Sequence, residues 1–228
     1  MVGPGHDVTD GGGAVGKASW SCDTARARRP LRHVRLAPRE EERAIDMVET
    51  SLRPVTLILG GAASGKSAFS ESLIESGIGT LWDSALYLAT ATAGDDEMAS
   101  KIERHRERRS PAWTTVEEPL DLSGALTNHA NPSRPILVDC LTLWLSNLMF
   151  ADRAPALETE KLTSTFTTLA GPVVFVSNEV GSGIVPENAL ARRFREEAGR
   201  LNQAVAAAAD RVHFIAAGLP ITLKDKTP

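Results

Sequence analysis

The chain has 228 residues, 42% of them hydrophobic, and a formal net charge of -4 with acidic and basic residues interspersed. That length supports one compact domain, or at most two, with a substantial core. The charge pattern excludes a global basic field for nucleic acid or an anionic membrane, so any anion is bound locally. Two cysteines, Cys22 and Cys140, argue for a reducing compartment and against a disulfide framework or a cysteine metal site. The most apolar stretch, 135–150, is interrupted by Asp139 and Asn147, so no membrane span is expected and a soluble cytoplasmic protein is.

Residues 1–53 carry glycine-rich and arginine-rich runs without a sustained period of 2 or 3.6, the composition of a segment unable to bury enough surface to order itself. They are expected to be a dispensable disordered extension, with Met47 as the natural start. Residues 54–228 form the expected folded domain. Short apolar runs predict strands over 55–59, 85–89, 136–138, 173–176 and 212–216. Helical patterns lie between or beside them at 66–75, 95–109, 142–150, 156–169 and 188–209. In the last of these, Leu190, Phe194, Ala198, Leu201, Val205 and Ala208 recur every three or four residues as a core-facing stripe. The alternation predicts an α/β protein, a P-loop NTPase-like three-layer fold with a mainly parallel central sheet.

"GGAASGKS" fits G-x-x-x-x-G-K-[ST] from Gly60 to Ser67, with a strand before it and an amphipathic helix after it. In such a loop the backbone N–H groups of Gly60, Gly61, Ala62, Ala63, Ser64 and Gly65 turn toward phosphate oxygens, and the positive end of the helix dipole faces the same place. Lys66 would reach the β- and γ-phosphates, and the Ser67 hydroxyl would ligate Mg²⁺. An upstream near-match, from Gly11 to Ala18, has Ala18 in place of the hydroxyl and no preceding strand, so it is read as a flexible glycine-rich segment. A second magnesium anchor is normally an Asp closing an apolar strand next to the first one, and "PILVDC" supplies Asp139. An aspartate there could instead cap the following helix.

The charged segment "DDEMASKIERHRERR" is more selective than a solvated helix. Met98, Ile102 and His105 fall on one stripe, with Arg104, Arg106 and Arg108 around the imidazole. His105 is therefore either a hydrogen-bonded core residue or a neutral nucleophile flanked by phosphate-binding arginines.

Taken together, "GGAASGKSAFSESL", "YLATATAGDDEMASKIERHRERRSPAWTTVEEP", "LVDCLTLWLSNLMF" and "VSNEVGSGIVPENALARRFREEAGRLNQAVAAAADRV" resemble the bifunctional adenosylcobinamide kinase/adenosylcobinamide-phosphate guanylyltransferases, over essentially 55–224. The resemblance implies phosphorylation of adenosylcobinamide with ATP or GTP. It also implies transfer of GMP from GTP through guanylylated His105 to adenosylcobinamide phosphate, giving adenosylcobinamide-GDP in cobalamin biosynthesis. It further places Thr90, Ala91, Thr92, Arg109 and Glu117 near the guanine nucleotide and suggests a trimer with substrate sites between subunits. Ala63 stands where family loops commonly carry arginine, which removes a side chain able to contact phosphate or a neighbouring subunit. Gly181 and Gly183 permit a tight loop after a strand end at which Asn178 and Glu179 are candidate substrate contacts. Two other readings use the same loop: a single-function P-loop small-molecule kinase, and a P-loop regulatory ATPase.

Overall fold

A computed structural model describes residues 52–91 and 109–226. The expected helix over 95–109 lies outside the described residues apart from Arg109, as do the extension over 1–51, the glycine-rich near-match at 11–18, Thr92 and His105. In chain order the described elements are β1 (Val55–Gly60), α1 (Lys66–Glu75), β2 (Ala85–Ala89), β3 (Trp113–Glu117), α2 (Leu122–His129) and β4 (Ile136–Asp139). They continue with α3 (Leu141–Phe150), α4 (Pro155–Thr165), β5 (Val173–Asn178), α5 (Ala189–Ala208), β6 (Arg211–Ala216) and β7 (Leu219–Asp225).

The strands form one seven-stranded sheet in the order β3-β2-β4-β5-β1-β6-β7. All neighbours are parallel except β6 and β7, which form an antiparallel hairpin. Successive residues of the inner strands point to opposite faces, and both faces are covered. Leu57, Leu86, Leu88, Val138 and Phe175 pack against α2, α3, α4 and α5. Ile58, Tyr87, Leu137, Val174 and Val176 pack on the other face against Leu73 and Ile74 of α1. Near-continuous apolar strands are what a sheet covered on both sides requires, and the result is the expected three-layer α/β arrangement.

Local chemistry sets the helix ends. Asn188 accepts from the N–H groups of Leu190 and Ala191 at the start of α5, Pro155 opens α4, and Asp121 accepts from the Gly124 N–H at the start of α2. In α5 the stripe is buried at Ala198, Leu201 and Val205, while Leu190 is exposed. Four elements depart from expectation: the sequence pattern does not predict the edge strands β3 and β7 or the short helix α2, and α4 ends at Thr165 rather than 169.

A further departure concerns the site. Asp139 does close an apolar strand, but β4 is not the neighbour of β1, because β5 lies between them. The chain leaves β4 through α3 and α4 and returns as β5 into the intervening place. Two strand spacings, about 10 Å, therefore separate the two strands, and the end of β5 stands between phosphate loop and carboxylate.

Candidate active site

The register collects the candidates along the carboxyl edge of the sheet. Glu117, Ala89 and Asp139 pair across β3, β2 and β4; Asp139 pairs with Val176 on β5; and Asn178 pairs with Gly60, where the phosphate loop begins. This edge of an open α/β sheet is where ligands bind.

Steric demands explain the loop's glycines. A Cβ on Gly60 would lie 2.5 Å from the Ile215 carbonyl oxygen and 2.7 Å from Ser64 Oγ, so nothing larger than hydrogen fits. Gly65 caps α1 with φ 99°, in the left-handed region, and a Cβ there would lie 3.1 Å from the Gly218 α-carbon. The turn of the β6–β7 hairpin, Ala217 and Gly218 at φ 51° and 80°, lies against the loop, and the Gly218 N–H donates to the Ser64 carbonyl at 2.8 Å. Ala62 and Ala63 are exposed, and Ala63 is itself left-handed at φ 54°. Gly61, Ser64 and Ser67 are half-buried.

Lys66 is 7% exposed and its ammonium donates to the Gly61 carbonyl at 2.7 Å. Burial holds its pKa below the usual lysine range, opposed by the negative charge of Asp139. A phosphate oxygen in place of the Gly61 carbonyl would turn a neutral acceptor into a charged one, a stronger bond for an ammonium.

Asp139 is half-buried and accepts from the Tyr87 hydroxyl at 2.8 Å. Burial, with the adjacent Asp139 charge, raises the Tyr87 pKa, so the phenol remains a donor. Asp139 does not cap α3; Cys140 occupies that position without a side-chain cap bond. Burial and Asp139 also push the Cys140 thiol up to about 11, which leaves it protonated and inert. Among the described residues no group of three or more His, Cys, Asp or Glu side chains could hold a metal ion. A hydroxyl such as Ser67 and a carboxylate such as Asp139 are the donor types a magnesium ion takes beside nucleotide phosphates and water.

Thr90 is fully buried, and its hydroxyl is committed to Cys140: it donates to the carbonyl at 2.8 Å and accepts from the N–H at 2.9 Å. Asn147 donates to the Thr90 carbonyl. Asn178 donates to Thr142 Oγ1 at 2.8 Å, and its own carbonyl accepts from Asn202, which is also bonded to Ser177. The Glu179 N–H donates to the Gly60 carbonyl, while its carboxylate accepts from the Gly181 N–H. Glu117 is exposed at the end of β3, and Ala91 is half-buried beyond β2. Arg109 is enclosed, with its guanidinium carbon 3.5 Å from the Tyr87 ring centroid and Nε 4.0 Å from Glu71 Oε1.

Tyr87, Glu71, Thr142 and Gly218 join this edge without having been singled out from sequence. Tyr87 had a detectable signal: it is the chain's single tyrosine and sits in the apolar run "ALYLA", where a buried hydroxyl requires a partner.

A bifunctional adenosylcobalamin biosynthesis protein, CobP of Pseudomonas aeruginosa, is 49% identical over 171 residues, 74% of this chain and 96% of that protein. The Escherichia coli protein of the same description, CobU, is 38% identical over 183 residues, 74% of this chain and 98% of that protein. Among solved structures, the flagellar accessory protein FlaH of Methanocaldococcus jannaschii matches with a TM-score of 0.46 and 13% identity, over 79% of this chain and 84% of that one. The profile of cobinamide kinase / cobinamide phosphate guanyltransferase matches residues 56–223, and the chain belongs to that family.

Proposed function

We propose that the nucleotide-binding edge formed by β1, β5, β4 and β2 serves both reactions of this bifunctional enzyme. The chain is a kinase and guanylyltransferase of cobalamin biosynthesis, as its family membership establishes. The observation that carries the site assignment is the alignment of Gly60, Asn178, Asp139 and Glu117 along one sheet edge, with Lys66 and Ser67 opening the adjoining helix.

In the kinase step the backbone of residues 60–65 cradles the phosphates of ATP or GTP, and Lys66 holds the β- and γ-phosphate oxygens. Ser67 and Asp139 would hold Mg²⁺, which when bound neutralises charge developing on the transferred phosphoryl group. A hydroxyl of adenosylcobinamide attacks the γ-phosphorus; the new oxygen–phosphorus bond forms as the bond to the β–γ bridging oxygen breaks, the hydroxyl proton passes to water, and the nucleoside diphosphate leaves. Thr90 contributes by fastening Cys140, and so the end of β4, from beneath. In this reading Asn178 and Glu179, at the end of β5, would contact the acceptor.

In the second step an imidazole nitrogen of His105 attacks the α-phosphorus of GTP. A nitrogen–phosphorus bond forms, the bond to the bridging oxygen breaks, and pyrophosphate leaves. A phosphate oxygen of adenosylcobinamide phosphate then displaces the imidazole, giving adenosylcobinamide-GDP. Thr92, Ala91, Arg109 and Glu117 adjoin the guanine nucleotide in this reading. We place the enzyme in the cytoplasm as a homo-oligomer, a trimer by family resemblance.

The test is incubation with Mg²⁺ and GTP labelled at the α-phosphate. Acid-labile, alkali-stable label on the protein, absent from His105→Ala while phosphorylation of adenosylcobinamide persists, is the expected result. An unlabelled, folded, nucleotide-binding protein would overturn the covalent route.

A further inference from the structure

Asp139 ends its strand beside a chain of packed side chains that begins on the helix of the phosphate loop. Tyr87 and Leu137 are register partners on β2 and β4, so the Tyr87 phenol runs along the sheet face to reach Asp139 Oδ2 at 2.8 Å. The Tyr87 side chain is enclosed, with the residue only 7% exposed. Its ring is covered by Arg109, whose guanidinium carbon lies 3.5 Å from the ring centroid. Arg109 in turn faces Glu71 at 4.0 Å, and Glu71 belongs to α1, which opens with Lys66 and Ser67. The loop's helix is thus joined to the carboxylate on β4 by three buried side chains, although β5 separates their strands.

We propose that Tyr87 is a positioning residue for the nucleotide-bound metal: its hydroxyl fixes the rotation of the Asp139 carboxylate, and the Arg109–Glu71 pair holds the ring in place. The inference rests on the reading of Asp139 as the carboxylate on the metal side of the nucleotide. A phenol suits this task better than an ammonium or guanidinium would. It orients the carboxylate with a neutral donor, whereas a cation at the same place would compete with the metal for the negative charge. A guanidinium over the ring face adds attraction without reaching the carboxylate through the ring.

The experiment uses the full chain and a fluorescent ATP carrying an N-methylanthraniloyl group, titrated with Mg²⁺ and compared with titrations in chelator. Tyr87→Phe keeps the ring beneath Arg109 and removes only the hydroxyl. The expected result is a rise of about tenfold in half-saturating Mg²⁺, from loss of a hydrogen bond to a charged group, with metal-free nucleotide affinity unchanged. A role confined to stability would lower the melting temperature and leave the Mg²⁺ dependence in place, and that outcome overturns the proposal. Asp139→Asn, measured alongside, separates the two levels. If it shifts the Mg²⁺ dependence while Tyr87→Phe does not, the positioning role falls and the metal reading stands; if neither shifts it, both fall. Should Tyr87→Phe not fold, Glu71→Gln decides the matter, with a rise of about threefold expected and no shift overturning the proposal.

Discussion

Gly60→Ala adds one methyl group at the first position of the phosphate loop, where the backbone of β6 leaves it no room. The new Cβ would stand 2.5 Å from the Ile215 carbonyl oxygen and 2.7 Å from Ser64 Oγ. Ser64 can rotate away, but the carbonyl belongs to a strand paired with β1 in register and cannot. Reaching an ordinary carbon–oxygen contact requires β1 and β6 to part by about 0.7–0.9 Å at that point, and overpacking of this kind costs about 2–3 kcal/mol. For a domain of this size that corresponds to a fall of about 5–10 °C in Tm, read by calorimetry or circular dichroism. Gly61→Ala is the internal control, since nothing lies within 4 Å of its added Cβ, and its Tm is expected to move by no more than about 2 °C. Equal Tm values for the two variants would refute the reasoning, because the steric contact with β6 is the difference it relies on.

Two more outcomes follow from other parts of the same edge and of the opposite one. Thr90→Val leaves the Cys140 N–H buried without its partner and is expected to cost about 1–3 kcal/mol in urea unfolding, with Thr90→Ser retaining most of the stability. An unchanged unfolding midpoint in the valine variant would show that the hydroxyl is not the fastener. At the foot of the sheet, hydrogen bonding to Arg211, with Arg53 adding to it, holds the Asp225 carboxyl below its ordinary 3.8. Because the folded value is the depressed one, this carboxylate contributes stability above pH 3.8 that is lost as pH falls through the lower folded value. Asp225→Asn should therefore lower stability near neutrality and flatten its decline below pH 4; parallel curves for the two proteins would refute the assignment.

The parts of this molecule visible in sequence are those specified locally. Helix α1 begins where the phosphate-loop lysine must stand, and its span, Lys66–Glu75, agrees with the expected 66–75. The inner strands announce themselves by being apolar on both faces. β3 and β7 do not, since "WTTVE" and "LPITLKD" are exposed edge strands that mix polar and apolar residues, and Pro220 is tolerated in the latter because an edge needs no complete hydrogen-bond ladder. α2 is eight residues long and includes Gly124 and Asn128, which weaken any helical pattern. In the site, Lys66, Ser67 and Asp139 are motif residues and were legible. The bonds from Tyr87 to Asp139 and from Thr90 to Cys140 span 52 and 50 residues of sequence, and only the strand register brings them together. The place of β5 between β1 and β4 is likewise a property of the crossover path, which no local pattern encodes.

The Gly218 N–H that supports the Ser64 carbonyl comes from the final hairpin of the described chain. Among the described residues β1 pairs with β5 on one side and β6 on the other, both more than a hundred residues later. During synthesis the phosphate-binding motif emerges early, yet its strand has no neighbours and its loop no wall until β5, β6 and the Ala217–Gly218 turn have followed. Nucleotide binding therefore reports completion of the whole domain: an incomplete chain carries the motif but not the site, and ligand stabilises only molecules whose last hairpin has closed.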